Sequence, residues 1–134
     1  MDEALVRLVW QRAHDTCEYC RLAQAFSKLP FHVDHIKARH HGGQDLPGNL
    51  GLACFYCNSY KGSNIAGEDP RSRAIVRLFH PRRHKWSRHF RWDGPVLIGR
   101  TPIGRATIAV LKINDPKAVA TRAALIEAGV FPPA

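Results

Sequence analysis

The chain has 134 residues, enough for one domain with a modest hydrophobic core, and a structural metal would help to stabilise a core of that size. Twenty lysines and arginines against eleven acidic residues give a formal charge of +9, so the natural partner is a polyanion. No run approaches the roughly 18 apolar residues of a membrane span, and the N-terminus lacks the basic start and long apolar run of a secretory signal, so we expect a cytoplasmic protein.

The N-terminal residues follow a helical pattern. Leu5, Leu8 and Val9 recur at a spacing that places them on one side of a helix, and Asp2 precedes the first turn as a capping residue. The sequence therefore predicts a short amphipathic helix over residues 3–14.

A strand, a loop, a second strand and a helix are predicted next. Residues 31–36 alternate between apolar and polar types, which is typical of a half-buried strand. A glycine-containing loop follows, residues 49–53 favour a second short strand, and residues 54–61 favour a helix that Gly62 ends.

The remaining residues indicate a basic extension of this motif. The segment 71–92 is rich in arginine, histidine and aromatic residues, and it predicts strands or an extended arm. Two helices are predicted to finish the chain, because Thr101 precedes Pro102 and Asp115 precedes Pro116, and the second should end at Gly129. We therefore predict an α+β fold in a single domain over residues 1–134.

The cysteines are the strongest physical signal in the chain. They form two pairs, each with two residues between its members: Cys17 with Cys20, and Cys54 with Cys57. Two such pairs complete the four-sulfur shell that structural Zn²⁺ prefers, and such a closed shell leaves no open position for a substrate. The 33 residues from Cys20 to Cys54 exceed the usual ribbon spacing, so another element is inserted between the two pairs.

An aspartate and a histidine lie together between the cysteine pairs. Asp34 offers a hard oxygen ligand for a divalent cation, and His35 offers an imidazole, whose ordinary pKa of about 6.5 suits water activation near neutral pH. In a regular strand these neighbours point to opposite faces. The strand must therefore end or bulge here if both residues serve one site.

Asn58 follows the last cysteine on the predicted helix. Its amide oxygen is a neutral ligand for a hard cation, so Asp34 and Asn58 are candidates to hold one ion together. Without further context, Asn58 is equally consistent with an ordinary amide on a helix surface.

In order and spacing, residues 17–62 resemble the HNH endonuclease motif of the ββα-metal, or His-Me finger, superfamily. The resemblance covers about one third of the chain. The matching elements are the first cysteine pair, Asp34-His35-Ile36, Gly42-Gly43, Asn49-Leu50, the second cysteine pair, Asn58 and Lys61.

This resemblance implies a zinc-stapled endonuclease that hydrolyses phosphodiester bonds in DNA. It assigns Asp34 as the first ligand of a catalytic cation (Mg²⁺, Mn²⁺ or another divalent ion) and His35 as the general base. It assigns Asn49 as the residue that holds the loop and orients the base. Asn58 stands where the last histidine of the family motif usually lies, so the site is of a His-Asn-Asn type.

Several further residues are predicted to touch the nucleic acid. Cations interleaved with aromatic side chains can bind phosphates and stack on bases, although the same pattern fits core aromatics under a basic surface. The predicted contacts are Lys61, Arg82, Arg83, Lys85 and Arg88, and the possible auxiliary residues are His32 and His41.

Two alternatives remain open. The first is a zinc-ribbon DNA-binding module in which Asp34 and His35 are structural, and the second is the same hydrolytic chemistry directed at RNA, because nothing in the chain speaks for or against a 2′-hydroxyl contact.

Overall fold

The computed structural model describes all 134 residues as short helices around three two-stranded antiparallel sheets. The helices are α1 (Glu3–Arg12), α2 (Phe55–Lys61), α3 (Trp86–His89), α4 (Pro102–Val110) and α5 (Pro116–Glu127). The strands are β1 (His32–His35), β2 (Leu50–Ala53), β3 (Ala66–Glu68), β4 (Ile75–Arg77), β5 (Phe90–Asp93) and β6 (Val96–Gly99). The predicted α+β class is confirmed. None of these helices combines the length and apolar character needed to cross a membrane.

The hairpin of β1 and β2, followed by α2, is the predicted strand, loop, strand and helix. The two strands pair with His32 opposite Ala53 and His35 opposite Leu50, and every residue of β2 is buried. Helix α2 ends at Gly62, whose φ of 52° is a conformation that glycine adopts without steric cost. The hairpin thus places His35 at the last position of β1 with a buried strand beside it.

Three helices begin at the polar residues that the sequence predicted as caps. Asp2 accepts a hydrogen bond from the backbone N–H of Ala4, and Thr101 accepts one from Gly104. Asp115 does the same for Lys117 at the start of α5. Each cap satisfies a backbone donor of the first turn, so a local pattern is sufficient to locate the start of the helix.

The basic aromatic segment after residue 70 folds back on the molecule instead of extending from it. Phe79 and Phe90 are buried in the main hydrophobic cluster, and Trp86 and Trp92 pack against it. The interpretation that these aromatic side chains stack on nucleic-acid bases is therefore corrected. They are core residues beneath a basic surface. The physical reason is the large apolar area of these rings, which a small domain gains most by burying.

The C-terminal half shares one core with the cysteine motif. The indole Nε1 of Trp86 donates to the carbonyl of Tyr19 at 2.9 Å, and the backbone N–H of Phe79 donates to the Thr107 hydroxyl in α4 at 2.8 Å. Asp69 is fully buried and accepts two hydrogen bonds from the Arg105 guanidinium. These contacts join the segment after α2 to the first cysteine pair and to α4.

Candidate functional site

The four cysteines converge in the structure as their spacing predicted. Their sulfur atoms all lie within 4.8 Å of one another, all four residues are buried, and none is in a disulfide. The Sγ atoms of Cys20 and Cys54 are 3.7 Å apart, which matches the edge of a tetrahedron built from Zn–S bonds of about 2.3 Å. The four cysteines form a zinc-binding site that joins the loop after α1 to the start of α2.

The pKa values of three thiols in this site are shifted, and not all in the same direction. Hydrogen bonds from the other three cysteines lower the pKa of Cys54, whereas sulfur contacts and burial raise the pKa of Cys20 and Cys57. The backbone N–H of Cys57 also points at the Cys54 sulfur, at 3.4 Å. The sulfur atoms therefore lie close enough to perturb one another, as expected of four ligands arranged around one cation.

We expect removal of the zinc to destabilise the whole domain. Cys57→Ser should lose the metal and at least about 4 kcal/mol of unfolding free energy, because binding energy at a structural zinc site is folding energy. In thermal unfolding followed by circular dichroism, the midpoint should fall by roughly 10 to 20 °C.

Ser59→Ala, an exposed change on the same helix, is the matched control and should melt like the parent. A Cys57→Ser protein that contains no zinc by elemental analysis and still melts at the parent temperature would contradict a structural role for the metal.

His35 forms a pair with a carboxylate that the sequence analysis did not single out. The Nε2 atom of His35 lies 2.7 Å from Oδ1 of Asp45, and the Arg39 guanidinium holds both oxygens of that carboxylate. The hydrogen bond from His35, and then those from Arg39, lower the pKa of Asp45. An ionised carboxylate only accepts hydrogen bonds, so the hydrogen of a neutral His35 lies on Nε2 and the lone pair of Nδ1 is left to accept a proton.

Asn49 holds the loop that carries Asp45. Its amide oxygen accepts from the backbone N–H of Lys37 at 2.8 Å, and its amide nitrogen donates to the carbonyls of Lys37 and Gln44, both at 3.0 Å. The loop also needs glycine at position 43, since a Cβ there would overlap the Lys37 carbonyl oxygen. Asn49 is therefore connected to His35 through the loop and Asp45, without touching the imidazole itself.

Asp34 lies on the opposite face of β1, within the core. Its side chain is 4% exposed, its Oδ2 accepts a hydrogen bond from the Tyr19 hydroxyl at 2.9 Å, and its Oδ1 accepts one from the Lys61 ammonium at 3.2 Å. Burial raises the pKa of Asp34, although Lys61 and Tyr19 act in the opposite direction. The strand does not bulge but ends at His35, so Asp34 and His35 belong to two separate hydrogen-bond networks.

The predicted contact of Lys61 with nucleic acid is wrong for this structure. Its side chain is only 1% exposed, and its ammonium donates to Asp34 and to the carbonyls of His35 and Ile36. A cation in this position neutralises the buried carboxylate and fixes the end of β1. Lys61 is thus an internal cation that joins the Asp34 carboxylate to the backbone at the end of β1.

Asn58 carries a polar group without a hydrogen-bond partner on α2. It lies on α2 one turn before Lys61, its side chain is half-buried, and its amide makes no hydrogen bond, while α2 packs against β1. A carboxylate and an amide oxygen suit a hard divalent cation. Both oxygens of Asp34 already contact Lys61, so a cation held by Asp34 and Asn58 would have to replace part of that contact.

The other predicted residues are distributed over the surface around this site. His41 is exposed, and the ring of half-buried His32 lies 6.1 Å from that of Phe55. Arg82 forms a mostly buried ion pair with Glu18, so the prediction that it offers a free cation to nucleic acid is corrected. The exposed cations that remain from the prediction are Arg83, Lys85 and Arg88.

Sequence reasoning missed Asp45 and Tyr19. Asp45 had a usable signal, because it is a carboxylate in the short loop between the candidate base and Asn49. Tyr19 had none, since its contact with Asp34 joins residues 15 positions apart that only the folded chain brings together.

Comparison with known proteins agrees with the geometry. Residues 17–64 match the family model described as HNH endonuclease. No curated protein and no solved structure matches the chain. The matched residues contain both cysteine pairs, the β1–β2 hairpin and α2, and they end just before β3. The segment from residue 17 to residue 64 therefore matches the HNH endonuclease family, and its four cysteines are positioned to bind a metal, as in a zinc-containing member of that family.

Proposed function

We propose that the chain is a metal-dependent endonuclease that hydrolyses phosphodiester bonds in DNA. The observation that carries this proposal is the 2.7 Å pair of His35 with Asp45, which lies inside the segment that matches the HNH family. An imidazole whose Nε2 hydrogen is held by a carboxylate has its other nitrogen prepared to accept a proton. The net charge of +9 supports a polyanionic substrate.

In the proposed reaction, Nδ1 of His35 takes a proton from a water molecule as the water oxygen attacks the phosphorus. The new P–O bond forms while the bond from phosphorus to the 3′ oxygen breaks, and that oxygen leaves with the electron pair. Asp45 keeps the imidazole in the required tautomer and orientation, and Asn49 keeps the loop of Asp45 in place. Asp34 and Asn58 would hold a divalent cation, which supplies charge stabilisation at the phosphate oxygens when bound.

The direct test uses supercoiled plasmid DNA. Incubation with Mg²⁺ or Mn²⁺ should convert the plasmid to nicked or linear forms, and chelation of the cation by EDTA should stop the reaction. A labelled RNA of matched sequence in the same assay separates DNA from RNA as the substrate.

A second candidate function has one specific observation in its favour. Both oxygens of Asp34 already contact Lys61, as expected if Asp34 and His35 serve only the structure of a zinc-containing DNA-binding module. Binding of the plasmid without cleavage under any divalent cation would favour this module over the nuclease.

Asp45→Asn should lower kcat about 10- to 100-fold with little change in KM, because it removes the charge that fixes the His35 tautomer but no surface needed for DNA binding. Steady-state cleavage of a labelled duplex measures both constants. Nitrogen NMR of His35 should show Nε2–H alone in the parent and a mixture of tautomers in the variant.

Asp93→Asn is the matched control, since Asp93 is an exposed carboxylate with no side-chain hydrogen bond. If Asp45 positions His35, Asp45→Asn should change kcat and the tautomer of His35 seen by NMR, and Asp93→Asn should change neither. Equal behaviour of the two variants would exclude this role of Asp45.

A further inference from the structure

A second feature of the molecule is a cleft of about 600 Å³ whose lining includes Ile36 and Lys37, directly after β1. Its floor contains the buried side chains of Ile36, Leu78 and Phe79, and its rim carries the exposed side chains of Leu46 and Ile65. The His35 imidazole does not line this cleft, although the next two residues of the chain do. The cleft is thus adjacent to the proposed catalytic base and distinct from it.

The polar lining of the cleft is entirely cationic or neutral. Lysines and arginines line it, and no aspartate or glutamate does. Lys61 forms an ion pair with Asp34, and Arg82 forms one with Glu18. Neither of these carboxylates lines the cleft. This leaves an excess of positive charge on the surface that faces solvent.

Three exposed cations carry that excess: Lys37, Arg77 and Arg83. None of them forms an ion pair. Arg77 and Arg83 line the cleft together with His80, whose pKa is lowered to about 4 by burial and then by the charges of these two arginines. Positive side chains that lie near one another without a carboxylate partner favour the binding of an anion between them.

The two walls of the cleft come from different parts of the chain. Lys37 and Asn49 belong to the matched HNH segment, whereas Arg77 and Arg83 lie in the segment that follows it. The family match therefore does not account for this combination of residues. Trp86 and Phe79 anchor the following segment to the core, so its arginines are held in place rather than carried on a free arm.

We propose that this cleft is a binding site for the strand of nucleic acid that flanks the scissile phosphate, with successive phosphates on Lys37, Arg77 and Arg83 and the sugar and base edges against Leu46 and Ile65. The inference rests on the proposed function in its choice of substrate. Cationic rims bind phosphates, and an apolar floor and rim suit the uncharged faces of a nucleotide. A strand seated here passes Lys37 and so reaches the end of β1, where His35 lies.

The test measures DNA binding separately from cleavage. Fluorescence anisotropy of a labelled 20-base-pair duplex is recorded at several salt concentrations in the His35→Ala background, without added divalent cation, so that the DNA stays intact. Arg77→Gln with Arg83→Gln should weaken binding tenfold or more at low salt. The slope of log K against log salt should shrink by roughly 1.8, which corresponds to two lost phosphate contacts on duplex DNA.

The matched control removes the same charge elsewhere. Arg71→Gln with Arg91→Gln changes two exposed arginines that do not line the cleft, and its affinity and salt slope should stay near those of the parent. Equal loss in the two double variants would show that only overall charge matters and would overturn the site. Circular dichroism of both variants confirms the fold, which these exposed positions should not affect.

The outcome for the cleft is separable from that for the nuclease. If the parent cleaves DNA but Arg77→Gln with Arg83→Gln binds as tightly as the parent, the cleft proposal fails and the nuclease stands. If the parent never cleaves but the double variant loses binding as described, the cleft proposal stands and the nuclease fails.

Discussion

His35→Ala should reduce the rate of plasmid nicking by about 10² to 10⁴ while leaving zinc content and thermal stability close to those of the parent. The large effect on rate is expected because His35 is the proposed acceptor of the proton from the attacking water. The small effect on the fold is expected because the imidazole is at the end of β1, and its side-chain partner Asp45 is on a partly exposed loop. Nicking is followed on agarose gels under saturating Mg²⁺ or Mn²⁺.

His40→Ala is a suitable control, since His40 is an exposed histidine a few residues further along the same loop. It should nick at the parent rate. If His35→Ala retained full activity, the assignment of the general base would be wrong. If His35→Ala lost activity together with its bound zinc, the loss would reflect misfolding instead, and Asp45→Asn would become the decisive variant.

Lys61→Met should destabilise the protein by about 3 to 5 kcal/mol, because it leaves the carboxylate of Asp34 buried without its cation. The methionine fills much of the volume of the lysine stem, so the lost charge and hydrogen bonds dominate over any cavity. The ammonium also donates to two carbonyls at the end of β1, and both would lose that partner. Urea denaturation followed by tryptophan fluorescence measures the change.

Two comparisons isolate the ion pair from other effects of this substitution. Arg73→Met breaks an exposed pair with Glu68 and should cost less than about 1 kcal/mol. Asp34→Asn combined with Lys61→Met should be less destabilised than the sum of the single changes, because neither charge is then left alone. A Lys61→Met protein within about 1 kcal/mol of the parent would contradict the buried pair.

The sequence by itself determined the features that depend on neighbouring residues. The helix starts at Asp2, Thr101 and Asp115 were predictable because a cap bonds within its own first turn. The strand, loop, strand and helix order was predictable from periodicity. The zinc site was predictable because two residues between paired cysteines are enough to aim both sulfurs at one ion.

Only the tertiary structure decided which polar side chains face solvent and which serve the core. Lys61 has the spacing of a surface residue one turn after Asn58, yet it is buried, because Asp34 and two carbonyls 25 to 27 positions away supply its partners. Arg82 is a cation in a basic run, yet Glu18 neutralises it from the first cysteine pair. Burial of a charge depends on a partner that the pattern around that charge does not contain.

The same limit applies to the candidate site and to the cleft. Asp45 becomes the partner of His35 only because Asn49 and the glycine-containing loop return the chain to the end of β1. The cleft combines residues of the hairpin segment with Arg77 and Arg83, whose segment is anchored by the bonds of Phe79 to Thr107 and of Trp86 to Tyr19. Local pattern therefore located the zinc and the chemical groups, whereas packing of distant segments decided how those groups are paired.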